Sequence, residues 1–175
     1  MKKIVILLLL IPFINHAAIR IKNVDDPFIL ASSAFQNKGV YPKLYSCDSL
    51  GISPTLNWSN VPAGTKSFAI TMHHFPKDGE KHVYMVLYNI PSNVFALPQG
   101  VHSIGDWGCN TQNRDLSYSP PCSKGPGPKT YIITAYALSE NVNFNTGVRV
   151  TMDELLAAIK NITLSTAQLE VTYAR

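Results

Sequence analysis

The mature part of this chain has no cluster of positive charge. Its Lys and Arg residues stand singly, and charged residues of both signs make up 15% of the sequence. Nucleic acid and anionic membrane surfaces attract runs or stripes of basic residues, so neither is expected as a partner. No apolar run approaches the roughly 20 residues that a membrane-spanning helix needs; the longest, Ile4 to Ile14, is about half that and is interrupted by Pro12. There is no Cys-x-x-Cys and no paired-His spacing of the kind that holds zinc. There is also no Gly-x-Ser-x-Gly elbow to present a nucleophile. Internal repeats and low-complexity segments are missing too. These absences point away from a metal, a cofactor and a catalytic residue.

What is present begins with an export signal. Met1-Lys2-Lys3 precedes the short apolar run, and the small residues Ala17 and Ala18 follow it. A positive start, an apolar core and a small-residue exit form a secretory signal peptide. Cleavage after Ala17 leaves a small residue at the cut, and cleavage after Ala18 is the alternative. Residues 1–17 are read as the signal and residues 18–175 as a single domain in the periplasm or outside the cell. Losing Lys2 and Lys3 with no acid lowers the formal charge from +4 to +2. The remaining length suits one hydrophobic core and leaves no room for a second.

Cys47, Cys109 and Cys122 survive export. An oxidising compartment favours a disulfide, while the odd count leaves one thiol over. Cys109 with Cys122 is the leading pair, because both lie in one loop-rich stretch and closing so short a loop stabilises by ~3 kcal/mol. Pairing through Cys47 stays open.

From Ile19 to Tyr173, short runs rich in branched and aromatic residues alternate with Pro, Gly, Asn and Ser clusters, the pattern of a mostly β domain. Ser67–Met72, Val83–Ile90 and Thr130–Leu138 are predicted strands buried on both faces, and Gln168–Tyr173 alternates as a closing strand. Thr151-Met152-Asp153-Glu154 has the form of a helix capping box. Leu155, Leu156 and Ile159 then supply an apolar stripe, and Asn161 ends the helix. Trp58 and Phe68 are read as core. The stretch from Gly100 to Pro128 carries five glycines and four prolines and is predicted to be a long ordered loop.

Several segments then resemble one family. Cys47-Asp48-Ser49-Leu50-Gly51-Ile52-Ser53-Pro54-Thr55-Leu56-Asn57-Trp58 is similar to the signature Cys-Asp-Gly-x-x-x-Ser-Pro-x-Leu-x-Trp of bacterial phosphatidylethanolamine-binding proteins (PEBP). The likeness continues through Val61 to Thr71, Val86 to Pro91 and Leu97 to Gly100. It extends over Tyr118 to Gly125, which looks like the family loop Tyr-x-Gly-Pro-Cys-Pro-Pro-x-Gly, then Tyr131 to Leu138 and the closing Thr172-Tyr173-Ala174-Arg175. These motifs are collinear over nearly the whole mature chain. The resemblance is to the YbhB/YbcL-like, or Raf kinase inhibitor-like, branch. It implies an antiparallel β-sandwich with a C-terminal helix, few other short helices, and a small anion pocket at one end.

The resemblance also implies that the pocket has changed. Extending the alignment from Phe68–Thr71 places His74 where the family has its first pocket Asp. Counting back from Pro91 places Tyr84 at the first pocket His, and counting back from Tyr131 places Lys129 at the second. Tyr131 is kept, Tyr118 and Pro121 belong to the loop that walls the pocket, and Ser123 replaces a family Pro in a loop one residue shorter. An acid and imidazoles exchanged for a base, a phenol and an ammonium favour anions, with Lys129 as a compact charge and the tyrosines as hydroxyl donors. Protonation of His73, His74 and His82 near pH 6.5 would strengthen such binding, although His73 faces away from His74 on an extended strand.

Three functions fit: a binder of a small anion or phospholipid head group, which is the leading one; a protein-interaction module that inhibits a secreted or host enzyme; and a divergent hydrolase. The first expects a polar pocket about His74, Tyr84 and Lys129. The second expects an exposed apolar patch near the 100–128 loop, and the third needs a free nucleophile such as Cys122.

Overall fold

A computed structural model describes residues 26–76, 79–145 and 147–175. The signal-peptide reading of residues 1–17 and the cleavage site lie outside them. In chain order the elements are β1 (Ile29–Ala31), β2 (Gly39–Val40), a 3-10 turn at Lys43–Tyr45, β3 (Leu56–Ser59), β4 (Ser67–His74), β5 (His82–Pro91), β6 (Ala96–Leu97), β7 (Asp106–Trp107), β8 (Lys129–Leu138), α1 (Met152–Ile159) and β9 (Thr163–Tyr173). A three-stranded sheet, β1-β3-β6, packs on a six-stranded sheet ordered β2-β9-β8-β4-β5-β7.

The position of β4 explains its composition. It lies between β8 and β5, and every one of its eight residues is buried. Phe68, Ile70 and Met72 face the small sheet, in a core shared with Trp58, Tyr131 and Leu169. Ala69 faces the other way, into a second core formed with Val86, Leu138, Val150, Leu155 and Ile159. A strand covered on both faces has no polar side to show, hence its near-continuous apolar run. β9 is covered less, and Ala167, Leu169, Val171 and Tyr173 alternate with exposed or half-exposed residues.

The helix forms as its sequence predicts. The Glu154 amide donates to Thr151 Oγ1 at 3.3 Å and the Thr151 amide to Glu154 Oε2 at 2.8 Å, closing the capping box. Met152, Leu155 and Ile159 bury the apolar stripe, and Leu156 packs at its margin.

One pairing departs from the antiparallel expectation. β2 joins the sheet parallel to β9, with Gly39 opposite Val171 and Val40 opposite Thr172. No hairpin links these distant segments, so no turn dictates their relative direction. Flanking bonds from the Lys38 amide to Glu170 O and from the Tyr41 amide to Thr172 O hold β2 in place.

The 100–128 stretch is a loop laid along the edge of β5 and broken only by the two-residue β7. Its amides at Gly108, Thr111 and Ser119 donate to Val86, Val83 and Tyr84 carbonyls at 2.8, 3.0 and 2.8 Å. Gly108 is needed for this approach. A Cβ there would stand 2.5 Å from both Val150 O and Val86 Cγ1.

Candidate functional site

His74 ends β4, Tyr84 lies near the start of β5, and Lys129 and Tyr131 open β8, so three neighbouring strands bring these residues to one end of the large sheet. The Tyr131 ring is the hub. Its centroid lies 5.4 Å from that of His74, 5.3 Å from that of Tyr84 and 6.4 Å from that of Tyr41. His74 Nδ1 is 2.8 Å from the Thr130 carbonyl oxygen. A carbonyl can only accept, so Nδ1 carries the proton and Nε2 is the remaining nitrogen.

Tyr131 is fully buried, and its hydroxyl has no hydrogen-bond partner. Burial raises its pKa; Ser123 and Tyr84 are close enough to pull that shift back, but neither sits at hydrogen-bond geometry. Burial likewise pushes Tyr41, Tyr84 and Tyr118 well above the ordinary phenol range. All four phenols are therefore neutral at physiological pH and keep their O–H protons. Tyr118 donates its proton to the Tyr45 carbonyl at 2.6 Å, and so accepts from Tyr41 at 2.9 Å. Pro121 is buried, its carbonyl accepting from the Cys47 amide at 3.1 Å. Lys129 shares this end, but its ammonium donates to the Lys124 carbonyl rather than to His74 or Tyr84.

Comparison with known proteins gives this end of the sandwich its context. The sequence profile of the family described as phosphatidylethanolamine-binding protein matches residues 31–174. The chain belongs to the PEBP family. A UPF0098 protein of Chlamydia muridarum is 34% identical over 151 residues, covering 82% of this chain and 97% of that one, which puts the chain in the UPF0098 (YbhB/YbcL) branch of PEBP. A crystal structure described as a PEBP homologue from Chlamydia trachomatis superposes with a TM-score of 0.78 at 31% identity, covering 85% of this chain and 98% of that one. Escherichia coli YbcL superposes with a TM-score of 0.76 at 22% identity over 86% and 99%, a likeness of fold.

In this PEBP chain the disulfide joins Cys47 to Cys122, not Cys109 to Cys122 as their proximity in sequence suggested. The reason is the path of the loop. The Cys109 amide bonds to Val150 O and the Ser119 amide to Tyr84 O, so the loop runs along the sheet edge between the two cysteines. Meanwhile the bond from the Cys47 amide to Pro121 O sets Cys47 beside Cys122, with the two Cα atoms 5.2 Å apart. Cys109 is a buried free thiol that donates to Arg114 O at 3.2 Å.

Sequence reasoning missed a polar cluster beside the site. The Tyr173 hydroxyl donates to Asp48 Oδ2, Ser46 Oγ lies 2.8 Å from the Tyr173 hydroxyl, and Arg175 pairs with Asp48 Oδ1 at 2.7 Å. The Tyr173 hydrogen bond, with help from Arg175, holds the Asp48 carboxyl below its usual range. Asp48 and Tyr173 both stood within family-like motifs, but at opposite ends of the chain nothing in the sequence paired them. His73 turns to the other face of the sheet, its ring edge-on to Phe75 at 5.0 Å, and burial lowers its pKa with help from Lys81. It has no part in the cluster around Tyr131.

Proposed function

We propose that this PEBP-family chain is an exported binding protein that takes a small anion, phosphate or a phospho-head group, at the Tyr131 end of the large sheet and catalyses no reaction. The observation that carries the reading is the Tyr131 hydroxyl. A buried phenol that makes no hydrogen bond costs roughly 1–3 kcal/mol, and an anion's oxygens would accept its proton. His74 and Tyr84 flank it, and the Lys129 ammonium needs only to swing from a backbone carbonyl to meet an incoming negative charge. Tyr118 and Pro121 wall the same end.

The signal-like first 17 residues support export. Cys122 is committed to a disulfide, so it offers no thiolate nucleophile in this state. The protein-interaction reading expects an exposed apolar patch near the 100–128 loop. Among the described residues, Leu116 of that stretch and Val148 beside the same groove are exposed large apolar side chains, and no bond or unsatisfied group there favours that reading over the anion site. Calorimetric titration of the oxidised protein with inorganic phosphate is the test. Replacing Lys129 with Ala should weaken binding by about tenfold, the loss of one charge-assisted hydrogen bond. Equal affinity in the two proteins would overturn the assignment.

A further inference from the structure

We infer that the site selects phosphate esters without an amine, such as glycerophosphate, over the zwitterionic phosphoethanolamine head group, an inference that rests on the anion-binding reading above. An ammonium group needs a carboxylate, open carbonyl oxygens or an uncovered aromatic face. Among the described residues at this end of the sheet, the carboxylate is paired and the Tyr131 ring is covered, which leaves only uncharged acceptors. The carboxylate that the cluster's bonds reach, Asp48, is held by the Tyr173 hydroxyl and by the Arg175 guanidinium.

The carbonyls of Thr130, Tyr45, Pro121 and Lys124 each already accept one hydrogen bond, which leaves each a single lone pair. Thr130 O accepts from His74, Tyr45 O from Tyr118, Pro121 O from the Cys47 amide and Lys124 O from Lys129. The Tyr131 ring is surrounded by Tyr41, His74 and Tyr84, so it has no face to offer a cation. Set against these are a donor without a partner, the Tyr131 hydroxyl, and the positive charge of Lys129.

The acceptors that remain, His74 Nε2, the phenol oxygens of Tyr84 and Tyr131 and the second lone pairs of the carbonyls, carry no negative charge. An uncharged acceptor gives roughly half the bond strength that a carboxylate gives an ammonium. Lys129, on the same strand end, opposes any second cation by direct repulsion. A phosphate group therefore meets donors and a positive charge, while an ethanolamine group attached to it meets repulsion and only uncharged acceptors.

The experiment is parallel calorimetric titration of the full oxidised chain with inorganic phosphate, glycerophosphate and phosphoethanolamine at one ionic strength. Glycerophosphate should bind about tenfold or more tightly than phosphoethanolamine. In Lys129→Gln, which alters a half-exposed side chain at the rim and leaves the cores intact, that ratio should fall toward one because the repelling charge is gone. Equal binding of the two esters by the unaltered protein overturns the selectivity and leaves the anion-binding reading standing. If phosphoethanolamine binds more tightly, the inference fails in the same way. If none of the three binds, the anion-binding reading fails and takes the selectivity with it.

Discussion

Replacing Cys47 and Cys122 with Ser together removes the bridge that ties the turn after Tyr45 to the loop ahead of β8. The bridge closes 75 residues of chain. In the chain-entropy account, restoring that freedom to the unfolded state costs the native state about 4 kcal/mol, against about 3 for a bridge over the much shorter span from Cys109 to Cys122. With a urea slope of about 2 kcal/mol per molar, the midpoint should drop by about 2 M. In thermal unfolding a loss of this size corresponds to about 8–16 °C for a chain of this length. Reduced wild-type protein should unfold with the double variant, because both lack the same cross-link. Cys109→Ala removes only a buried thiol and should sit far closer to the oxidised wild type. The reasoning is refuted if the double variant stays within about 1 kcal/mol of the oxidised protein, or if Cys109→Ala carries the large loss instead.

Gly108→Ala should destabilise by about 1–3 kcal/mol or more, since its methyl would have to displace Val150 O or the fully buried Val86. An unfolding free energy within about 0.5 kcal/mol of wild type in urea would mean the loop does not approach β5 as described. His73 gives a pH signature. Its folded-state pKa is depressed, so its contribution to stability is present above the unfolded value of about 6.5 and fades as pH falls toward the folded value. Between about pH 7.5 and pH 5, His73→Gln should therefore lose less stability than wild type, and parallel slopes would remove His73 as the source.

On the proposed function, binding at the Tyr131 end and stability of the fold would depend on the same segments. The 118–123 loop carries Tyr118, Pro121 and Ser123, and is fixed by the disulfide, by the bond from the Cys47 amide to Pro121 O and by the bond from Ser123 Oγ to Tyr173 O at 3.2 Å. Loosening any of these would free a wall of the proposed site as well as the chain. Ligand affinity and unfolding free energy should be read together for every variant in this region.

Local chemistry was legible in the sequence. The Thr151–Glu154 box, the strand runs of β4, β5 and β8, and the alternation of β9 all follow from side-chain periodicity, because capping and burial are set within a few residues. The collinear motifs carried the family and with it the sandwich. What the sequence could not decide was contact between distant segments. The pairing of Cys47 with Cys122, the parallel entry of β2 beside β9 and the Asp48–Tyr173–Arg175 cluster each join residues over seventy positions apart. The direction in which a flexible ammonium points was equally hidden: alignment puts Lys129 among the site residues, and only the packed loop shows it bound to the Lys124 carbonyl. Periodicity reports which face of a strand is buried; which remote side chain meets it there is fixed only when the sheets close on each other.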